Sequence, residues 1–335
     1  MKIFFRFTFY LLLNFLYIIF RPIIHRHKLI DFITLVYPGT DRDIKSYVLF
    51  KWIRAFLPII SVVGVFIYRN GKKFRLGLTV ATGYSAEEME KNKILLLQIR
   101  SSLLKFAENI GVKSVAMVGR MPSIMVKMGI PIEPPLLSGN KGTLFALTET
   151  IKDVLQKEKL FPEEIVIGIL GVGYIGRTLF ECLKKMKFAG IRAVDVRFKV
   201  SVWNKNRIKL GNDPKLLEEC NVVVVLTPRG SDLKKYLPYL RNGVIIIDDT
   251  HPKIPKNLLG DLIRLKKAKI YKVLLTLKKM KIFPSWPGYS NYSLPGCTIE
   301  AIVTSINRNI PFSSQISFTE AARKIGLQTL LKNKT

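Results

Sequence analysis

The alternation of apolar and polar positions divides the chain into a continuous N-terminal apolar run, a mixed region and a series of buried-strand segments. Phe7 to Phe20 (FTFYLLLNFLYIIF) is almost unbroken apolar and aromatic, with Lys2 and Arg6 before it and Arg21, Pro22, His25, Arg26 and Lys28 after it. A second run, Phe56 to Tyr68, is interrupted by Pro58 and rich in β-branched residues, which predicts buried strand in a domain core, with a membrane-facing surface as the alternative. Ser85-Ala86-Glu87-Glu88 has the form of a capping box. It opens a predicted helix with apolar positions at Ile94, Leu95, Leu97, Ile99, Leu103 and Leu104, ending near Asn109-Ile110-Gly111. Val115–Val118 reads as a short strand, Ile130–Leu137 is Pro-rich, and Leu144–Leu155 has helical periodicity.

Beyond Phe161-Pro162 the predicted strands are Ile165–Leu170, Ile191–Val196, Asn221–Leu226 and Val244–Ile247, with Lys269–Leu277 as a further one. Continuous apolar strands are covered on both faces, which implies a doubly wound parallel sheet. Pro284 to Gly288 is a turn-rich loop, and the final helices are predicted at Cys297–Arg308 and Thr319–Leu331. The fold class expected is α/β. A Rossmann-type doubly wound sheet occupies 161–283, an N-terminal α/β substrate domain 29–160, an apolar segment 1–28 and a helical segment 284–335.

Composition adds two constraints. The chain has 335 residues, enough for about two domains, and 48% of them are hydrophobic, so it is globular. Its net charge of +30 is spread along the chain and favours anionic partners. No nucleic-acid module is recognisable, and none is expected to bind. Cys182, Cys220 and Cys297 have neither metal-ligand nor disulfide-framework spacing, which indicates a reducing compartment. With His25, His27 and His251 as the only histidines, no metal site is expected. For the N-terminal run three readings compete: a signal peptide, a spanning helix and a helix in the membrane interface. Arg21-Pro22 is a poor cleavage site, and fourteen residues are short for about 30 Å of hydrocarbon. The aromatic content and basic flanks favour association with an anionic membrane surface, with the body of the protein in the cytoplasm.

The most specific chemistry lies at Gly171-Val172-Gly173-Tyr174-Ile175-Gly176, between a predicted strand and a predicted helix. This has the form of the glycine turn that brings backbone close to a dinucleotide pyrophosphate, the alternative being a glycine-rich structural turn. Asp195, ending the next strand, can accept the ribose hydroxyls of NAD, whereas Arg197 can hold the 2′-phosphate of NADP. Thr227 follows the third strand of this half, where such folds line the nicotinamide pocket, or is part of an ordinary strand-ending turn. Cys297 stands in the first turn of a predicted helix, where a thiolate is favoured. Glu300, one turn on, is either an acid/base or a helix cap. His251, at the end of a strand, is a proton donor or a turn residue. Ser138, Asn140 and Lys141 are candidate contacts for a substrate carbonyl or carboxylate, or turn residues before a helix.

The order of these features resembles the long-chain acyl-[acyl-carrier-protein] reductases and related dehydrogenases with a shikimate-dehydrogenase-like nucleotide domain. Ser138-Gly139-Asn140 with Thr143 is similar to that family's Thr-Thr-Gly-Asn, and Cys297-Thr298-Ile299-Glu300-Ala301 to its Cys-x-x-Glu-Ala. The glycine turn departs from the family's Gly-Ala-Thr-Gly-x-Ile-Gly, and Lys141-Gly142 replace small polar residues. The resemblance implies that Cys297 takes an acyl group from acyl-carrier protein or acyl-CoA as a thioester. A fatty aldehyde is then released by NADP(H), slightly favoured over NAD(H). Two other readings stand beside it: an NAD(P)-dependent dehydrogenase of an amino or hydroxy acid in which Cys297 is structural, and a non-catalytic nucleotide-binding membrane protein.

Overall fold

The computed structural model describes residues 2–40, 44, 59–70, 73–198, 202–204, 207–286, 289–307 and 312–331. Phe56 to Pro58 of the second apolar run and Pro287-Gly288 of the predicted loop lie outside the described residues. In chain order the elements are α1 (Lys2–His27), β1 (Ile30–Val36), β2 (Ser61–Asn70), β3 (Lys73–Ala81), α2 (Ala86–Lys91) and α3 (Lys93–Ile110). Next come β4 (Val115–Met117), α4 (Met121–Lys127), β5 (Leu136–Leu137), α5 (Asn140–Glu158), β6 (Val166–Leu170), α6 (Tyr174–Lys184) and β7 (Gly190–Val194). Then follow β8 (Val202–Asn204), β9 (Ile208–Gly211), β10 (Val222–Val225), β11 (Ile245–Asp248), α7 (Lys256–Lys266) and β12 (Lys269–Lys272). The chain ends with β13 (Leu275–Leu277), β14 (Lys281–Phe283), α8 (Gly296–Ile306), α9 (Gln315–Lys324) and β15 (Leu327–Thr329).

The chain forms two units, one of Met1–Gly142 with Thr276–Gln328 and one of Thr143–Leu275 with Thr329–Thr335. The helix that carries Cys297 therefore belongs with the N-terminal residues. In the first unit the sheet order is β14-β2-β3-β1-β4-β5. The strands β3, β1, β4 and β5 run parallel; at one edge β2 pairs antiparallel with β3 and β14 antiparallel with β2. One face of this sheet packs on α3 through Ile99, Leu103 and Ala107, all fully buried.

The capping box is present in full: Ser85 Oγ accepts the Glu88 N–H at 3.2 Å, and Glu88 Oε2 accepts the Ser85 N–H at 2.9 Å. The single helix expected after it is two. Asn92 takes an extended conformation, and its side chain accepts the Leu95 N–H at 3.0 Å, so it ends α2 and caps α3. An asparagine able to satisfy a helix N-terminus competes with the helical backbone. The predicted final helix Thr319–Leu331 is also corrected. It spans Gln315–Lys324, and Gly326, at φ +84°, turns the chain into β15.

α1 is a continuous helix, but not an isolated one. Tyr10 is buried, Leu13, Tyr17 and Ile24 pack on the first unit's core, and Tyr17 meets Phe106 at 5.0 Å between ring centroids. Asn14 clasps the edge of β2: its Nδ2 donates to the Val62 carbonyl at 2.9 Å, and its Oδ1 accepts the Val62 N–H at 2.9 Å. A side-chain amide thus stands in for the next strand, just past the end of β14, which pairs with β2 only from Val65 to Ile67.

The second unit has the order β12-β11-β10-β6-β7-β9-β8, parallel except for β8. Taking its six parallel strands in chain order as first to sixth gives 3-2-1-4-5-6, the doubly wound Rossmann order. The expected α/β class with a doubly wound parallel sheet and an apolar N-terminal helix is what the structure contains. Every residue of the central strands β10 and β11 is buried because both faces are covered, as their unbroken apolar sequences require.

Candidate functional site

The switch point of the second unit lies between β6 and β10, and the glycine turn sits there. Its three glycines are required for three different reasons. Gly171 has φ +97°, and a side chain on it would come within 2.9 Å of the Leu226 carbonyl. Gly176 packs the first turn of α6 on the loop, since a Cβ there would lie 2.3 Å from the Gly171 carbonyl oxygen. Gly173 is extended at φ −69° and faces open space; a Cβ on it would meet only an Arg197 guanidinium nitrogen, at 3.9 Å. The first glycine makes the turn, the third lets helix and strand approach, and the second leaves room for a ligand. Among the described residues no side chain caps α6, which leaves first-turn N–H groups for an anion. Tyr174 is exposed and Ile175 half-buried at that helix start.

Asp195 directly follows β7, with its carboxylate fully engaged. One oxygen accepts the Arg197 N–H at 2.9 Å and Arg197 Nε at 2.8 Å; the other accepts the Val172 N–H at 2.6 Å and an Arg197 terminal nitrogen at 2.7 Å. The Arg197 side chain, followed by burial and the two backbone N–H groups, sets the balance that brings the Asp195 carboxyl down to about 2. The four acceptor positions of a carboxylate are all used. A ribose hydroxyl can reach Asp195 only if Arg197, whose side chain is 62% exposed, swings away. Thr227 lies beside Gly171, and its hydroxyl donates to the Arg229 carbonyl at 3.0 Å.

A group of ionisable side chains stands at the carboxyl end of β11, two strands from the glycine turn. Asp248, fully buried, accepts both the N–H and the hydroxyl of Thr250 and lies 3.3 Å from Lys272 Nζ, which also donates to the Thr250 carbonyl. The half-buried Asp249 carboxyl is raised to about 7 by burial, against a lowering by Lys272 and with a push from Asp248. The His251 imidazole is lowered to about 3 by burial and Lys272, against Asp248, and is therefore neutral at pH 7. The loop that follows is held to the segment after β10, where the Gly230 N–H donates to the Pro252 carbonyl at 2.9 Å. Sequence reasoning named His251 but missed Asp249 and Lys272; two adjacent carboxylates closing an apolar strand were the available signal.

In the first unit, Ser138, Asn140 and Lys141 come together with Cys297 and Glu300. The N-termini of α5 and α8 touch through two glycines. A Cβ at Gly139, where φ is +76°, would lie 2.8 Å from the Cys297 Cα, and one at Gly142 would lie 2.3 Å from the Gly296 carbonyl oxygen. Glu300 Oε2 accepts the Lys141 N–H at 3.1 Å, and the Gly142 and Gly139 N–H groups also bond its carboxylate. Burial raises this carboxyl, opposed by Lys141 and those N–H groups. Glu300 thus caps α5 from another helix. Ser138 Oγ accepts the Asn140 N–H at 3.3 Å, the turn geometry such residues favour. Cys297 is half-buried in the first turn of α8. Tyr37, buried at the end of β1, accepts the Met121 N–H at 2.8 Å, and burial drives its hydroxyl upward, with Cys297 adding to the shift.

No family profile matches the chain, and no curated protein matches it. Among solved structures it is similar to a D-isomer specific 2-hydroxyacid dehydrogenase from Xanthobacter autotrophicus Py2 in complex with NADPH and MES, at 20% identity and a TM-score of 0.31 over 46% of this chain and 75% of that one. It is similar to D-lactate dehydrogenase with NAD+ from Lactobacillus jensenii at 14% identity and a TM-score of 0.32, over 72% and 79% of the two chains. A D-isomer specific 2-hydroxyacid dehydrogenase from Lactobacillus delbrueckii ssp. bulgaricus, NAD complexed, matches at 11% identity and a TM-score of 0.33, over 88% and 95%. The fold assignment rests on this chain's own strand order and glycine turn.

The expected resemblance to acyl-[acyl-carrier-protein] reductases and shikimate-dehydrogenase-like domains is corrected. The solved structures just named are 2-hydroxyacid dehydrogenases, and the residues that suggested the resemblance are engaged in packing: Gly139 against Cys297, and Glu300 on α5. The acyl thioester, the fatty aldehyde and the acyl-carrier protein or acyl-CoA partner rested on that resemblance and are set aside with it.

Proposed function

We propose that this chain is a nicotinamide-dependent dehydrogenase of a small hydroxy acid, working reversibly on the corresponding oxo acid. The observation that carries the reading is the open space at Gly173, set between two glycines that packing makes obligatory. The residues fit a dinucleotide: the turn and the first N–H groups of α6 would hold its pyrophosphate, and Asp195 with Arg197 its adenosine ribose. NADP(H) is preferred over NAD(H), because the Arg197 side chain already engages both carboxylate oxygens of Asp195 and lies next to the Gly173 opening. A nicotinamide so held supplies or takes the hydride.

The protein's own part is proton transfer. Asp249, raised to about 7, is poised to take the hydroxyl proton in oxidation and return it in reduction, as efficient general catalysis near neutral pH requires. His251, neutral, orients the reacting oxygen through a hydrogen bond. Lys272 and Asp248 fix the charge around both. Cys297 and Glu300 are structural, so no covalent intermediate forms.

Paired titrations of the full chain with NADPH and NADH, followed by turnover on a panel of 2-oxo acids, test this. The reading expects NADPH to bind more tightly, an oxo acid to consume it, and Cys297→Ser to leave turnover intact. The absence of binding by both nucleotides would refute it, as would loss of turnover in Cys297→Ser with its melting temperature unchanged. Tight binding without consumption of NADPH on any substrate would favour the non-catalytic reading.

A further inference from the structure

α1 buries one stripe on the first unit and leaves the opposite one uncovered. Leu12, Phe15, Ile19 and Ile23 follow one another at spacings of three and four residues on the outer face, and each is about half exposed or more, at 50%, 60%, 50% and 49%. Ile18 beside them is 69% exposed. An exposed apolar stripe of this length on a soluble body marks an interaction surface. The same helix ends in exposed Arg21, His25, Arg26 and His27, followed by Lys28, and Arg26 continues the outer stripe one turn beyond Ile23. Apolar residues bounded by cations along one helix face suit an anionic lipid surface, with the side chains in the acyl boundary and the cations among the headgroups.

Length and hydropathy would also let Thr8–His27 cross a bilayer. The clasp on β2 argues against it. Asn14 sits near the middle of the helix, its carboxamide bonded to both polar groups of Val62, and Tyr10 and Tyr17 face the same body. A spanning helix would have to break that pair of bonds and take the carboxamide into hydrocarbon, leaving Val62 unpaired.

We infer that α1 is a body-clasped, in-plane anchor that holds the first unit on an anionic bilayer through its Leu12–Phe15–Ile19–Ile23 face. The inference does not depend on the reaction proposed above.

The test is sedimentation of the full chain with phosphatidylcholine vesicles made with and without phosphatidylglycerol. Binding is expected chiefly to the anionic vesicles and to weaken with salt. Phe15→Glu combined with Ile19→Glu is expected to reduce it about tenfold or more, with an unchanged melting temperature and unchanged nucleotide affinity. A milder pair, Arg26→Gln with Lys28→Gln, should lessen the preference for phosphatidylglycerol and the salt sensitivity without disturbing the fold. Orientation is read by depth-dependent quenching of a fluorescent amino acid placed at position 12 or 23. An in-plane helix gives equal, shallow depths, whereas a spanning one separates the two positions by about 16 Å at 1.5 Å per residue. Equal binding by the Phe15/Ile19 variant, unequal depths, or a vesicle-independent dimer abolished by that variant would each overturn the inference.

Discussion

Replacing Gly173 by alanine separates the ligand-binding role of the glycine turn from its structural role. The backbone at Gly173, φ −69° and ψ −161°, is open to any residue, and the nearest atom to an added Cβ is 3.9 Å away. Restricting the unfolded chain should stabilise the protein by about 0.4–1 kcal/mol. Alanine is a poorer N-cap than glycine by a similar amount, so the two effects offset and stability should change by no more than about 0.5 kcal/mol. The methyl group would stand in the opening proposed for the pyrophosphate and should cost at least about 1.4 kcal/mol of binding, a tenfold loss of affinity. Gly176→Ala is the control with the opposite signature. Its Cβ would fall 2.3 Å from the Gly171 carbonyl oxygen, an overpacking that costs about 1–3 kcal/mol of stability. Fluorescence titration with NADPH and thermal melting of both variants suffice. If Gly173→Ala binds NADPH as the parent does, or melts as low as Gly176→Ala, the assignment of the turn is wrong.

Arg197→Ala should free two of the four acceptor positions on Asp195, weakening NADPH by about tenfold, one charged contact's worth, while NADH is retained; equal losses for both cofactors would count against the ribose assignment. Asp249 and His251 make opposite contributions to stability. The raised Asp249 makes stability fall as pH rises from the ordinary aspartate value to about 7, and the depressed His251 makes it rise from about 3 to the ordinary histidine value. The two nearly cancel between these limits. Asp249→Asn should therefore uncover a melting temperature that climbs with pH in this window, His251→Asn one that falls, and a flat profile in both would refute the assignment. Asp249→Asn should also remove the limb near pH 7 from the kcat/KM profile of turnover. Gly142→Ala, with its Cβ 2.3 Å from the Gly296 carbonyl oxygen, should cost about 2–3 kcal/mol in chemical denaturation; a loss under about 0.5 kcal/mol would show that α5 and α8 are not in backbone contact.

Features written in a few consecutive residues were legible in the sequence. The glycine turn, the Ser85–Glu88 capping box and the buried parallel strands depend on local backbone conformation or on a period, and both survive in one dimension. Asn92 shows the limit of periodicity: the apolar spacing runs straight through it, yet its carboxamide ends one helix and starts another. Glu300 shows the limit of motif reading. Spacing placed it on the face of Cys297, but its bonds go to Lys141, far away in sequence, and only the fold reveals that pairing. The same holds for Asp249, whose altered titration arises from burial beside Lys272, a residue on another strand. Cys-x-x-Glu-Ala suggested a reaction because a pattern of residue types does not show which of them are already engaged in packing.

The clasp between Asn14 and Val62 has a practical corollary for anyone preparing the protein. The exposed apolar helix invites deletion, with a start near Leu29 as the obvious choice. Such a deletion would uncover the core residues now beneath Tyr10, Leu13 and Tyr17 and would strip the end of β2 of its only described cover at Val62. A bare strand edge of valines is a template for pairing with another chain. The shortened protein should aggregate more readily than the parent, and charged substitutions on the outer stripe are the better route to a soluble preparation.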